Sequence, residues 1–207
     1  MFKTLRKQST DYTDFIKRIC VICGCVFLFS PALAQAQRTA TPEVEFNIRG
    51  ARVRVPDLVL RDQEGRKVHF YSDLIKDKVV VLSFFYTSCA YTCGLQGRTF
   101  SQLQSLLGER LGKSVFLVSV TIDPVKDDPP KLKAWGQRYN RQPGWTLVTG
   151  EEAEMNKILL PFVGTPAGAN MHFPATFIGN DAKGVWTSAS GILSPETLLD
   201  AIDFLTR

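Results

Sequence analysis

Continuous apolar runs alternate along this chain with segments of helical periodicity. The runs at 79–86 and 114–122 are rich in β-branched and aromatic residues, which is typical of strands buried on both faces of a sheet. Segments 96–111 and 151–162 carry apolar residues at helical spacing. The pattern predicts a sheet with helices packed against it.

Weaker signals complete the predicted order of elements. Val55–Leu60 and Lys67–Tyr71 alternate around the turn Asp62–Gly65, which predicts an N-terminal β-hairpin. The remaining predicted elements are a helix starting at Pro129, strands at Trp145–Val148, Pro174–Ile178 and Val185–Ser188, and a helix from Ser194, its N-cap, to Leu205. This order predicts an α/β fold with a mixed central sheet flanked by helices.

Residues 1–36 have the features of an export segment. A basic stretch precedes the apolar run Ile19–Phe29, and Ala32-Leu33-Ala34 resembles a cleavage site. The run is short against the roughly 20 apolar residues of a membrane span, so a signal peptide and an N-terminal membrane anchor both remain open. Either one predicts a periplasmic protein or one on the outer face of the inner membrane. We expect a tether over residues 37–52 and a single domain over 53–207.

Charge and cysteine content narrow the function further. The chain of 207 residues has a formal charge of +5, but much of the excess lies in the export segment, and no basic cluster interleaved with aromatics follows. Nucleic-acid binding is therefore not expected. Cys20, Cys23 and Cys25 belong to the apolar run, so the domain itself contains only Cys89 and Cys93.

These two cysteines are spaced C-x-x-x-C, at the end of the first buried strand and the start of the first helix. This placement resembles the thioredoxin arrangement, with one residue more between the cysteines. In a helical segment their Cβ atoms would be about 5–6 Å apart, which suits two thiolates on one metal ion or, after adjustment, a disulfide. A helix N-terminus also favours the thiolate form. An inert structural disulfide is the alternative.

The chain has two histidines, His69 and His172. Alternation in the hairpin places His69 on the surface. His172 precedes Pro174, and in thioredoxin-like folds a proline that introduces this strand often faces the cysteines. A loop histidine with no role at the site is the alternative. Two thiolates and an imidazole suit copper or zinc, although a structural zinc site would require a fourth ligand. Met171 would face away from a site that His172 faces.

Several motifs in this order and spacing resemble the Sco/SenC family, exported assembly factors for the copper centre of cytochrome c oxidase. The motifs are Pro56–Leu58, Asp62–Gly65, Phe85–Cys89, Cys93, Ser119–Pro124, Asp127–Pro129, Trp145–Gly150 and His172. The resemblance implies a thioredoxin-like domain that binds one copper ion, Cu(I) or Cu(II), at the positions of those two cysteines and that histidine.

The resemblance also implies a partner and points to differences from the family. The expected partner is the copper-accepting subunit of cytochrome c oxidase, or another exported copper or thiol protein. Asp123 matches an acidic family position near the site. Ala90 and Gly94 replace prolines that usually follow the family's cysteines, and Met171 replaces an acidic residue.

Two functions are consistent with these residues. The first is a copper metallochaperone that assists oxidase assembly by copper delivery, thiol reduction or both. The second is a periplasmic thiol–disulfide oxidoreductase that uses Cys89 and Cys93 as its redox-active pair. A peroxidase of the same fold is a third, weaker hypothesis, based only on Thr87 lying near Cys89. His172 separates the first two, because dithiol exchange does not require a histidine.

Overall fold

The computed structural model describes residues 43–48, 51–164, 166–168 and 174–207. They belong to one compact unit, Ala40–Arg207. The predicted export segment, Met171 and His172 lie outside the described residues. No helix within the described ranges is long and apolar enough to cross a membrane.

Nine strands and four helices make up the described part of the chain, with short 3-10 turns at Gly108–Arg110 and Asp181–Lys183. The strands are β1 (Glu43–Ile48), β2 (Ala51–Pro56), β3 (Val59–Asp62), β4 (Lys67–His69), β5 (Val79–Phe85), β6 (Val115–Thr121), β7 (Trp145–Thr149), β8 (Ala175–Asn180) and β9 (Val185–Ser190). The helices are α1 (Thr92–Leu107), α2 (Pro129–Arg138), α3 (Glu152–Val163) and α4 (Pro195–Thr206).

One mixed sheet runs through the molecule in the order β2-β1-β9-β8-β5-β6-β7-β3-β4. Strands β5, β6 and β7 are parallel, and β8 is antiparallel to β5. Every residue of β5 is buried, and its side chains alternate between two apolar cores. One core includes α3, and the other includes α1, α2 and α4. The predicted α/β fold with a mixed central sheet between helices is confirmed.

The N-terminal part of the domain contains two hairpins. Strands β3 and β4 pair antiparallel, as predicted. Strands β1 and β2 also pair antiparallel, and β1 joins β9 in parallel at Ile48 and Trp186. Within residues 37–52, which the sequence predicts as a tether, residues 43–48 form β1 and residues 51–52 begin β2. The physical reason is the alternation of polar and apolar residues in Glu43–Ile48, which suits a strand.

The register of the central strands brings three chain segments to one edge of the sheet. Phe85 and Thr121, the last residues of β5 and β6, are paired, and the N–H of Ile122 donates to the carbonyl of Phe85 at 2.8 Å. Because β8 is antiparallel to β5, it begins at this edge, with Ala175. The cysteine loop leaves β5 here.

Candidate metal and dithiol site

The cysteine pair connects β5 to α1. Cys89 lies in the loop and Cys93 in the first turn of the helix, where only 2% of it is exposed. The N-cap residue, Tyr91, makes no side-chain capping bond. Instead, the N–H of Cys93 donates to the sulfur of Cys89 at 3.2 Å, so this sulfur satisfies one of the free N–H groups of the helix N-terminus. Both cysteines are free thiols.

The surroundings of Cys89 favour its thiolate. Partial burial acts to raise the pKa of Cys89, but hydrogen bonds from the Cys93 thiol, from two backbone N–H groups and from the Tyr86 hydroxyl together lower it below the ordinary value. All of these donors stabilise a negative charge on sulfur. Of the two cysteines, Cys89 is therefore the one whose surroundings favour the thiolate.

Cys93 has the opposite character. Burial raises the pKa of the Cys93 thiol well above the usual range, and its hydrogen bond to Cys89 adds to the effect. The pKa of Tyr86 is also raised, first by burial and then by the charge of Cys89. An accessible thiolate beside a buried thiol can exchange with a disulfide or present two sulfur ligands to a soft metal ion.

Tyr86 and Asp127 lie next to the site, although the sequence does not indicate them as site residues. Tyr86 donates its hydroxyl to Cys89, and Asp127 accepts two hydrogen bonds from Thr87. No local pattern distinguishes these residues, because each contact depends on the course of the loop. Asp123, which the resemblance places near the site, is buried and pairs with Lys126 at 2.9 Å.

The two histidines have different outcomes. The side chain of His69 is 52% exposed, and its Nδ1 lies 3.8 Å from a carboxylate oxygen of Asp57, as alternation in the hairpin predicts. His172 lies outside the described residues. Among the residues that are described, no three Cys, His, Asp or Glu side chains cluster closely enough to hold a metal ion.

The chain on both sides of His172 is held at the cysteine edge of the sheet. The N–H of Gly168 donates to the carbonyl of Ile122 at 2.6 Å. The carbonyl of Pro174 accepts from the N–H of Gly191 at 2.7 Å, and β8 begins at the next residue. Pro174 thus introduces the strand beside β5, as the sequence predicts.

Comparison with known proteins adds the relationship that geometry alone cannot supply. A family model described as SCO1/SenC matches residues 49–201. A curated relative from Stutzerimonas stutzeri, named "Putative copper-binding protein", is 26% identical over 140 residues, which is 64% of this chain. The aligned part spans 65% of the length of that relative.

Solved structures share the fold. A SCO1/SenC family lipoprotein from Bacillus anthracis superposes with a TM-score of 0.63 at 22% identity, covering 80% of this chain and 98% of its own. Copper-bound ScoI from Bradyrhizobium japonicum gives 0.57 at 19% identity, covering 73% and 98%. BsSco, from the Sco family of cytochrome c oxidase assembly proteins, gives 0.60 at 18% identity, covering 78% and 94%. The family model matches most of the chain, and the chain belongs to the SCO1/SenC family.

Proposed function

We propose that this protein is an exported copper-binding metallochaperone that assists assembly of the copper centre of cytochrome c oxidase, by copper delivery, thiol reduction or both. The observation that carries the proposal is the pair of free thiols, Cys89 and Cys93, joined by a hydrogen bond at an accessible edge of the sheet. Support also comes from the family, from the copper in the B. japonicum structure and from the oxidase-assembly family of BsSco.

The donor set fits copper. Two sulfur atoms at one point of the fold suit Cu(I), which prefers soft thiolate ligands, whereas Cu(II) gains from an added imidazole. We assign the imidazole to His172, because the segment before it is hydrogen-bonded to Ile122 and the segment after it begins β8 beside β5. Copper bound here is the cargo that the protein passes to its acceptor.

Export is the second part of the proposal and is supported by the basic stretch and apolar run of residues 1–36. It places the domain in the periplasm or on the outer face of the inner membrane. Alkaline phosphatase, which is active only outside the cytoplasm, tests the proposal when fused after residue 52. An inactive, stably produced fusion contradicts export.

Copper titration tests the site directly. We expect the reduced protein to bind one Cu(I) ion, and Cu(II) to produce a thiolate-to-copper absorption band. His172→Ala should abolish this band while leaving Cu(I) binding and disulfide formation in place, since those need only the sulfurs. His69→Ala is the matched control, because it removes the chain's other histidine, which is exposed on the hairpin. If both histidine variants retain the band, the assignment of His172 as a copper ligand is wrong.

The unequal thiols favour one further candidate, a thiol–disulfide oxidoreductase. The Cys89 thiolate would attack a substrate disulfide to form a mixed disulfide and release one substrate thiolate. Cys93, losing its proton, would then attack the Cys89 sulfur and release the second thiolate, leaving the substrate reduced and the cysteine pair oxidised. Efficient reduction of insulin disulfides by the wild-type protein, with no Cu(II) band, would establish this function instead.

A further inference from the structure

Asp127 is a buried acid that neither proposed function has used. Its side chain is fully buried, with 0% exposure, and it accepts three hydrogen bonds. The N–H of Thr87 donates at 3.0 Å and the hydroxyl of Thr87 at 2.5 Å. The hydroxyl of Thr121 donates at 2.5 Å. No ion pair to Asp127 is found in the described part of the chain, so these neutral donors are its partners.

The position of the carboxylate follows from the sheet. Strands β5 and β6 are parallel and end side by side, so Thr87 and Thr121 emerge at the same edge. The turn after β6 then folds back, with the N–H of Asp127 donating to the carbonyl of Asp123 at 2.9 Å. This turn places the Asp127 carboxylate between the two threonines. A buried acceptor so fully bonded holds both segments firmly.

The cysteine loop depends on this contact at its start. Thr87 lies two residues before Cys89, and the N–H of Cys89 donates to the carbonyl of Tyr86 at 3.3 Å. Beyond Cys89 the loop is exposed at Ala90 and Tyr91 until the helix begins. Cys93 is fixed by burial in α1, so the position of Cys89 relative to Cys93 is set from the Thr87 side.

We propose that Asp127 is a positioning residue, which holds Thr87 and thereby keeps the sulfur of Cys89 beside Cys93. The expected effect on copper binding rests on the proposed function, in which Cys89 and Cys93 bind copper. Partners that orient metal ligands usually change metal affinity by about tenfold to a hundredfold when they are removed. Holding the two sulfurs together also raises their effective concentration for disulfide closure.

Two variants break the contact from opposite sides. Thr87→Val keeps the shape of the side chain and removes its hydroxyl donor. Asp127→Asn keeps one acceptor oxygen and replaces the other by an amide. We expect each variant to weaken Cu(I) binding about tenfold or more and to change the wavelength or intensity of the thiolate-to-Cu(II) band. We also expect each variant to shift the equilibrium with glutathione disulfide towards the Cys89 and Cys93 thiols. In that exchange one glutathione disulfide takes two electrons from the pair and yields two glutathione thiols.

Thr87→Ser keeps both donors and should restore wild-type values. Thr149→Val is the control for the same substitution, because Thr149 on β7 is buried and its hydroxyl has no partner among the described residues. Thermal unfolding of each variant separates a local effect from a loss of fold.

The outcomes distinguish this inference from the proposed function. If the wild-type protein binds no copper, the proposed function fails, and the glutathione equilibrium alone decides the role of Asp127. The inference is overturned if Thr87→Val, folded as stably as Thr149→Val, keeps the wild-type thiol equilibrium and, where copper binds, the wild-type affinity and band.

Discussion

At the scale of single residues, the site is defined by the inequality of its two thiols. Burial acts to raise the pKa of both cysteines, and it dominates at Cys93, whereas at Cys89 hydrogen bonds from its neighbours outweigh it. The donors come from the N-cap and first turn of α1 and from Tyr86, the residue that follows β5. The thiol of Cys89 is therefore deprotonated more readily than that of Cys93.

Alkylation measures this inequality. Because the pKa of Cys89 is lowered, its thiolate fraction rises at a lower pH than that of an ordinary cysteine, and the raised pKa of Cys93 keeps that thiol protonated. We expect trace iodoacetamide at neutral pH to label Cys89 and spare Cys93 in the reduced folded protein. Fragmentation mass spectrometry of the labelled peptide locates the adduct. Equal labelling of the two residues in the native state would contradict the assignment.

Only part of this site follows from sequence. The spacing of Cys89 and Cys93 after a buried strand and before a helix is a local pattern, and it predicts the pair. Neither Tyr86 nor Asp127 stands out in its local sequence. The contact of the Tyr86 hydroxyl arises from the course of the loop, and those of the Asp127 carboxylate arise from the turn after β6. Such contacts depend on packing between segments distant in the chain, which residue patterns do not encode.

At the scale of secondary-structure elements, the first turns of α1 are set by their packing against Tyr139. This residue is the C-cap of α2, and its ring lies against that of Trp135 at a centroid distance of 4.6 Å and a tilt of 55°. A methyl group added at Gly97 would lie 2.7 Å from two ring carbons of Tyr139, whereas one at Gly94 would lie 3.4 Å from its hydroxyl. The glycine at 97 therefore permits close approach of the helix that carries Cys93.

Gly97→Ala and Gly94→Ala form a matched pair for this contact. Both replace a helical glycine, so both gain about 1 kcal/mol of helix propensity, and only the first meets the ring. Overpacking costs roughly 1–3 kcal/mol, so we expect the free energy of unfolding of Gly97→Ala to fall below that of Gly94→Ala by about that amount. Urea denaturation provides the comparison, and equal stability of the two variants would exclude tight packing at Gly97.

The elements themselves were largely predictable. Continuous apolar runs predict β5 and β6, and Ser194 caps α4 by accepting from the N–H of Thr197, as its position before Pro195 suggests. Strand β1 was not predicted, although polar and apolar residues alternate along the whole of Glu43–Ile48. Its pairing with β9 joins residues from opposite ends of the domain, and no local signal identifies such a partner.

At the scale of the whole molecule, the three proposed ligands differ in how much they need the fold. Cys89 and Cys93 are close in sequence, so an unfolded chain still offers both sulfurs to one metal ion. His172, as the proposed third ligand, would reach them only after the sheet has brought the start of β8 beside the end of β5. A ligand stabilises a protein only in so far as it prefers the native state over the unfolded one.

Metal-dependent stability therefore separates Cu(I) from Cu(II). Metal at a hundred times its dissociation constant stabilises by about 2.7 kcal/mol when the unfolded chain does not bind it, or about 5–10 °C in melting temperature for a domain of this size. We expect Cu(II) to approach this shift and Cu(I) to fall short of it, because the unfolded cysteine pair competes for Cu(I). His172→Ala should remove most of the Cu(II) shift and leave the Cu(I) shift unchanged.

Thermal unfolding without oxygen measures both shifts, with the Cys89→Ser/Cys93→Ser double variant as the control for binding elsewhere. A Cu(II) shift that survives in His172→Ala would show that the fold contributes no third ligand from this position.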